Sequence, residues 1–277
     1  MTRTRPGRRA PPRRSTGRQG RRWRGVPPHR GRSRSSRQAR ATTSGCNRVP
    51  PMDANLFGRV VVVTGGDLPL VAGLAAGLAG SGAIVVTLDA DTLGSRPAAE
   101  AAFAAVAAEY GAVHGVVHAA VDPIAYERVP MHEVDDARWD AVWEQTLRRA
   151  LFVLQAGHTQ MRSAGGAFVF VGSPVGMAGA AELAPYAAAM EGVRVLAKSA
   201  ARQWGADGIR VNVLAPAPEH VPAGVASGEL ALSPPALGGA GDPADDLAPV
   251  AAWLLSDDAH FVTGVTVPAD GGVWMAG

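Results

Sequence analysis

Cysteine and lysine are almost absent from this sequence, which contains one of each in 277 residues, Cys46 and Lys198. A single cysteine rules out an intramolecular disulfide and leaves residues 52–277 without thiol chemistry. This usage is typical of a reducing compartment, so we predict a cytoplasmic protein. A single lysine confines any mechanism that needs an ammonium group to one position in the chain.

Acidic residues are missing from residues 1–51, which contain 16 arginines, whereas residues 52–277 contain 11 basic and 24 acidic residues. The net charge of +3 therefore combines a strongly basic segment with an acidic one. The basic segment has few apolar residues, and Trp23 is its only aromatic one, so it cannot bury enough surface to offset its chain entropy. We predict a disordered extension over residues 1–51 and a folded domain over residues 52–277.

Two interpretations of the extension stay open. An arginine-rich arm could bind nucleic acid or anionic lipid, because neutralised phosphates release counterions. Alternatively, Met52 is the natural start, and the arm lies upstream of it. No apolar run has the length of a secretory signal or of a membrane span, so we expect neither export nor a membrane partner.

Apolar runs alternate with helical patterns throughout residues 52–277. The runs are continuous rather than alternating, which is typical of parallel strands buried on both faces. The sequence therefore predicts a single α/β domain with a doubly wound, Rossmann-type parallel sheet. The predicted strands are Val60–Val63, Ala83–Leu88, Gly115–Ala119, Ala167–Val171, Ile209–Leu214 and one near Val265; the predicted helices are Leu70–Ala79, Ala98–Glu109, Asp136–Met161, Leu183–Trp204 and Pro243–Leu255.

In such a sheet, ligands bind beyond the carboxyl ends of the strands, where the strand order reverses. The turn from Thr64 to Pro69 follows the first strand at this point. Its glycines, Gly65 and Gly66, would allow a tight turn that brings a phosphate close to the N-terminus of the next helix. The sequence thus predicts a crevice for an anionic ligand.

Short motifs follow one another along this pattern in a characteristic order. They are Val-Val-Val-Thr-Gly-Gly at 61–66, the helical segment Trp139–Leu147, Ser173, Tyr186, Gly-Ile-Arg-Val-Asn-Val at 208–213 with Pro216, Thr263-Gly264, and Asp-Gly-Gly at 270–272. Together they resemble the short-chain dehydrogenase/reductase family over nearly all of residues 52–277. The sequence is similar to 3-oxoacyl reductases, and His-Ala-Ala at 118–120 resembles polyketide ketoreductases.

The resemblance implies an oxidoreductase that uses NAD or NADP. Its candidate cofactor-binding residues are Thr64, Gly65, Gly66, Asp89, Ala119, Ala120 and Pro216. Pro69 and Val71 occupy the positions of the family's second and third glycines. The turn after the first strand is therefore either a working phosphate site or only the start of a helix. Asp89 could accept a hydrogen bond from a ribose hydroxyl, which would favour NAD, or lie in a solvated loop.

The chain between the second strand and the next helix is also short. The family has a further helix and strand there, so we predict that one edge of the sheet is trimmed. That edge normally shelters the adenosine half of the cofactor.

The resemblance also implies a catalytic pair, Ser173 and Tyr186, that polarises a carbonyl or secondary alcohol. The family lowers the pKa of this tyrosine with a lysine four residues later, but Met190 stands there. Lys198 is three turns away from Tyr186. Thr146 replaces the family's asparagine, and Arg149 is the one conceivable substitute cation, although we favour a solvated or helix-pairing role for it. Ser173 and Tyr186 are therefore either a substrate-polarising pair or packing groups.

His118 ends the third predicted strand. It could be catalytic, but at a buried strand end we favour a hydrogen-bonded structural histidine.

Three functions follow from these residues. The first is hydride transfer on a small carbonyl or alcohol substrate. The second is a noncatalytic, pseudoenzyme role as a homo-oligomer or as a partner of an active paralogue, because the two longest predicted helices match those that form the family's subunit interface. The third is binding of nucleic acid through the basic arm. The degraded motifs favour weak or absent catalysis.

Overall fold

The computed structural model describes residues 55–275, except residues 223, 226 and 231. The basic extension predicted over residues 1–51, with its possible binding of nucleic acid, lies outside the described residues. The division of the chain at Met52 therefore stays a prediction.

Six parallel strands form one sheet in the order β2-β1-β3-β4-β5-β6. The order reverses beside β1, because the chain crosses from β2 over β1 to β3, and a ligand crevice is expected at such a reversal. The Rossmann-type α/β fold predicted from the apolar runs is confirmed. The strands are β1 Val60–Thr64, β2 Ile84–Leu88, β3 Gly115–His118, β4 Gly166–Val171, β5 Ile209–Pro216 and β6 Thr266–Ala269.

Helices cover both faces of this sheet. Successive residues of a strand point to opposite faces, and β1 shows the result: Val60 and Val62 enter one hydrophobic core, and Val61 and Val63 enter the other. The α-helices are α1 Pro69–Gly80, α2 Arg96–Tyr110, α3 Asp136–Val142, α4 Arg149–Met161, α5 Pro174–Ala178, α6 Ala184–Trp204 and α7 Ala248–Leu255.

The helix predicted over Asp136–Met161 is interrupted. A π-helical segment, Trp143–Arg148, separates α3 from α4. Such segments insert one residue into a helical turn and are frequent at functional sites. Periodicity does not reveal the interruption, since apolar residues recur at nearly the same spacing on either side. Likewise, Pro243–Leu247 is π-helical ahead of α7.

One edge of the sheet ends at β2, as expected for a trimmed edge. Between β2 and α2 the structure has only the short 3-10 turn Ala90–Leu93, whose Leu93 is fully buried. Among the described residues, no helix is both long enough and apolar enough to cross a membrane.

Candidate active site

A cavity lies at the carboxyl ends of β3, β4 and β5. Its volume is about 30 Å³, which is roughly the space of one water molecule. The cavity brings together four residues predicted from the sequence: Ser173, Tyr186, Ala119 and Pro216. It is lined by Leu68, Leu70, Ala119, Val121, Tyr126, Val171, Gly172, Ser173, Tyr186, Met190, Pro216, Ala217, His220, Val221 and Pro222.

Ser173 and Tyr186 are positioned by the starts of two helices. Ser173 is the N-cap of α5, where its Oγ accepts a hydrogen bond from the backbone N–H of Val175 at 3.1 Å. Tyr186 lies in the first turn of α6 and is 4% exposed. The Ser173 hydroxyl lies on the same cavity wall and acts on the Tyr186 phenol, favouring its ionised form. The predicted pair is therefore brought together, but one lone pair of Ser173 is engaged in capping.

The Tyr186 phenol is a weaker acid than a free tyrosine. Burial raises the pKa of Tyr186 to about 12, and the Ser173 hydroxyl opposes this rise without cancelling it. No described cation contributes to lowering this pKa, and Met190, one helical turn further on, is itself 4% exposed. The geometry of a proton donor is thus present without the charge that would make it acidic.

Two further side chains of this cavity were missed by the sequence reasoning. The ring centroid of Tyr126 lies 5.6 Å from that of Tyr186. Burial raises the pKa of Tyr126 far above its usual range, and Tyr186 and Asp122 add to the rise. His220 is half-buried, and its Nε2 lies 3.0 Å from the carbonyl oxygen of Ala240. Each residue ends a short 3-10 turn between longer elements, where no periodic pattern signals a role.

Thr146 lies inside the π-helical segment and is 1% exposed. Its hydroxyl accepts a long hydrogen bond, 3.4 Å, from the backbone N–H of Asp122 in the loop after β3. This contact ties the helix to the loop, which is a structural use of the position where the family has an asparagine.

Arg149 corrects one expectation from the sequence. It is 5% exposed, so the solvated role is wrong, whereas the helix-pairing role is confirmed by a 2.5 Å hydrogen bond from its Nη2 to Gln145 Oε1. Burial lowers the pKa of Arg149, although Asp122 and Asp91 oppose this effect. Because Arg149 does not act on the pKa of Tyr186, it is no substitute for the missing lysine.

His118 is the structural histidine favoured by its position. It is 3% exposed, its Nδ1 lies 2.6 Å from Thr64 Oγ1, and its ring meets that of Phe170 edge to face. Burial lowers the pKa of His118 to about 3, and Arg149 adds to this effect, so the ring is neutral at physiological pH. Thr64 is fully buried, and its hydroxyl is committed to this contact rather than to the crevice.

A second cleft, of about 170 Å³, lies beside the turn after β1. It brings together Gly65, Gly66 and Asp89, as the sequence predicted for cofactor-binding residues. Ala120, which is 3% exposed, lines neither this cleft nor the catalytic cavity.

The residues of this cleft do not fit the diphosphate of a dinucleotide. A Cβ atom placed on Gly65 would lie 2.6 Å from Val71 Cγ2, so Val71 already fills the space above the turn. In the first turn of α1, Pro69 has no N–H, and the N–H groups of Val71 and Ala72 are bonded to the carbonyl of Leu68. The two ionisable residues that line the cleft, Asp67 and Asp89, are both acidic.

Comparisons with known proteins agree with this fold. Residues 58–274 match the family model described as "Enoyl-(Acyl carrier protein) reductase". A short-chain type dehydrogenase/reductase of Mycobacterium ulcerans superposes with a TM-score of 0.69 at 28% identity, covering 79% of this chain and 90% of that one. Levodione reductase gives 0.68 at 27% identity, covering 78% and 98%.

Two relatives carry named activities. The cis-4-hydroxycyclohexanecarboxylate dehydrogenase of Sinomonas cyclohexanicum is 37% identical over 173 residues, which are 60% of this chain and 68% of the relative. The (3R)-3-hydroxyacyl-CoA dehydrogenase of Rattus norvegicus is 34% identical over 145 residues, 50% of this chain and 55% of the relative. The match therefore spans little more than half of the rat enzyme.

Proposed function

The chain belongs to the short-chain dehydrogenase/reductase family, and from this premise we propose that it descends from oxidoreductases of secondary alcohols and carbonyl compounds but transfers hydride weakly or not at all. The family is one of oxidoreductases. Both named relatives are dehydrogenases of hydroxylated compounds, which supports this substrate class for the ancestor. A fold does not by itself confer activity, so the present function depends on the chemistry of the site.

The observation that carries the proposal is the apolar environment of Tyr186. General acid–base catalysis works best when the pKa of the catalytic group lies near the working pH. The pKa of Tyr186, about 12, lies well above neutral pH. The difference from pH 7, about 5 units, corresponds to roughly 7 kcal/mol. Met190 offers neither the charge nor the donor that could close this gap.

The two binding sites support the same proposal. The catalytic cavity is small, about 30 Å³. In the cleft at Gly65, Val71 fills the space above the turn, and both ionisable residues of the lining are acidic. We therefore expect NADH and NADPH to bind no more tightly than about millimolar, or about −4 kcal/mol. If either cofactor binds, Asp89 favours NAD over NADP, because a carboxylate accepts a ribose hydroxyl but repels a 2′-phosphate.

A noncatalytic role as a subunit is favoured by a separate observation. Trp139 and Trp143 are 40% and 39% exposed and stack on one another at 6.1 Å, on helices that match the family's subunit interface. On the same set of helices, Leu151 and Val195 are also exposed. Aromatic residues are enriched at protein interfaces. We propose that the protein forms homo-oligomers, or hetero-oligomers with an active paralogue, in the cytoplasm.

Calorimetry separates an active oxidoreductase from this proposal. NADH and NADPH are titrated into the full-length protein, into Met190→Lys, and into Met190→Leu, which keeps the site apolar. We expect no binding tighter than about millimolar for the unmodified protein and for Met190→Leu. Micromolar binding to the unmodified protein would overturn the cofactor part of the proposal, whatever its oligomeric state.

The subunit role is tested by mass measurement in solution. Trp139→Glu should reduce the assembly of the full-length protein, because it places a charge on the exposed stack, whereas Glu133→Gln on a nearby exposed turn should not. An assembly unaffected by Trp139→Glu would contradict this interface.

A further inference from the structure

The two edges of the sheet differ in how they are protected from other strands. Edge strands expose unpaired N–H and C=O groups, and proteins block them with proline, charges or bulges. At one edge, β6 carries Pro268, which supplies no N–H. At the other edge, β2 has the sequence Ile-Val-Val-Thr-Leu, without proline, charge or glycine. Within the described part of the chain, the trimmed edge is therefore the unprotected one.

The backbone of β2 presents a regular set of bonding groups on its outer side. Ile84 donates its N–H to Arg59 in the segment that leads into β1. In a parallel pair, alternate residues bond to the neighbouring strand, so Ile84, Val86 and Leu88 face β1. Val85 and Thr87 consequently direct their N–H and C=O groups outward, symmetrically about Val86.

The surface around this edge carries almost no charge. Residues 68–88, which include α1 and β2, contain no charged residue. Ile84 is 42% exposed, so an apolar side chain lies open at the start of this strand. The flanking helices expose mainly small side chains, namely Ala72, Ala76 and Ala79 on α1 and Ala101, Ala104, Ala105 and Ala108 on α2. Small side chains allow another molecule to approach closely.

We propose that β2 pairs with β2 of a second copy of this chain, antiparallel about a two-fold axis through Val86. In this register Val85 of one copy opposes Thr87 of the other, and the two pairs form four N–H···O=C bonds. The sheets of the two copies join into one sheet of twelve strands. Such an interface is isologous, because each copy contributes the same surface.

This register suits the charges at the ends of the strand. Asp89, which follows β2, falls opposite Ala83 of the second copy, and Asp91 falls opposite Ser81. No carboxylate meets another carboxylate, and the uncharged centre loses no ion hydration on pairing. A second copy therefore fits this edge strand without placing like charges opposite each other.

A disulfide tests the register directly. In the full-length protein with Cys46→Ser, Val86→Cys places two thiols opposite each other on the two-fold axis, at a Cα separation of about 4.5 Å that a disulfide can span. Val85→Cys is the matched control, since Val85 is equally half-buried but its symmetry mate lies diagonally, at roughly 7–8 Å. We expect mild oxidation to crosslink Val86→Cys more than about ten times as efficiently as Val85→Cys.

A mixture of Val85→Cys and Thr87→Cys covers the case in which Val86→Cys fails to fold. The mixture should crosslink into heterodimers, because residues 85 and 87 oppose each other across the axis. Equal crosslinking of the 85 and 86 variants, or no crosslinking in either design, would overturn the proposal.

The assembly mass provides a second readout. Val85→Pro removes an outward N–H without touching the bonds to β1, so it should halve the mass of the assembly and leave the fold intact. Phe261→Lys removes a side chain that is 94% exposed elsewhere on the surface and should change nothing. If Val85→Pro retains the original mass, or if Phe261→Lys lowers it equally, the assembly does not depend on β2.

Discussion

Met190 lies one helical turn beyond Tyr186, and the two side chains line the same cavity, so a thioether occupies the place from which a cation could act on the phenol. Both residues are 4% exposed. Bulk solvent therefore stabilises the phenolate poorly, and burial is the largest cause of the raised pKa of Tyr186. The relationship between these two residues determines how acidic the site can be.

The first prediction concerns the titration of Tyr186. The chain has three tyrosines, so the ultraviolet absorbance of tyrosinate can be followed in the double variant Tyr110→Phe, Tyr126→Phe. We expect Tyr186 to ionise near pH 12, because burial disfavours the phenolate. Adding Met190→Lys should lower the midpoint by about one unit or more, since an opposite charge within a turn favours the ionised form. A midpoint at or below 10 without the lysine would contradict the described environment.

The second prediction concerns acid stability through His118. Its pKa is depressed to about 3 in the folded protein, below the value of about 6.5 in the unfolded chain. The unfolded state therefore binds more protons between these values, so the stability that the neutral ring contributes is present above pH 6.5 and is lost as pH falls. At pH 5 the loss should be about 2 kcal/mol.

Urea unfolding at pH 7.5 and pH 5 measures this loss. His118→Asn should reduce the difference in unfolding free energy between the two pH values. His132→Asn is the control, because His132 is exposed and paired only with Glu133 on the surface. An equal pH dependence in the two variants would show that His118 is not the responsible group.

The third prediction compares two adjacent glycines. Gly65 has φ of +154° and lies under Val71, whereas Gly66 has φ of +72° and open space where a Cβ would be. Gly65→Ala should therefore destabilise the protein by about 3 kcal/mol or more, through overpacking and backbone strain. Gly66→Ala should cost only about 1 kcal/mol, from the positive φ alone. Thermal unfolding of both variants checks the difference, and equal costs would contradict the contact with Val71.

The fourth prediction restores the family's glycines by changing Pro69 and Val71 to glycine together. Removing Val71 opens the space above Gly65, and replacing Pro69 adds an N–H at the start of α1, so we expect tighter binding of NADH. The change should also destabilise the fold, because each helical glycine costs about 1 kcal/mol and Val71 loses its burial. Quenching of tryptophan fluorescence by NADH reports the affinity, and Pro69→Ala with Val71→Ala is the control. No gain over that control would show that other groups exclude the cofactor.

Much of the fold could be predicted from the sequence because its signals are local and periodic. Five of the six strands agree with their predicted bounds to within two residues, and continuous apolar runs such as Val60–Val63 signalled burial on both faces. The last strand lies just beyond Val265, at Thr266–Ala269. The trimmed edge could be predicted because the chain between β2 and α2 is too short for the family's further helix and strand.

The rest depends on contacts between distant parts of the chain. A π-helical segment does not change the apolar spacing enough to be recognised, so the interruption at Trp143 was missed. Arg149 is buried because α4 packs against the loops after β2 and β3. Its charge alone had suggested that the side chain would be exposed to solvent. Tyr126 reaches Tyr186 from a loop 60 residues earlier, which no motif spacing encodes. The sequence shows Val71 at one of the family's glycine positions, but its contact with Gly65 required the structure.

Steady-state turnover decides whether Tyr186 works as a proton donor in the unmodified protein. The full-length protein is assayed with NADH and NADPH against 4-oxocyclohexanecarboxylate and acetoacetyl-CoA, which are carbonyl counterparts of the compound classes named for two relatives, alongside Tyr186→Phe. We expect no turnover by the unmodified protein above that of Tyr186→Phe. Turnover that disappears in Tyr186→Phe, without any lysine introduced at Met190, would contradict it.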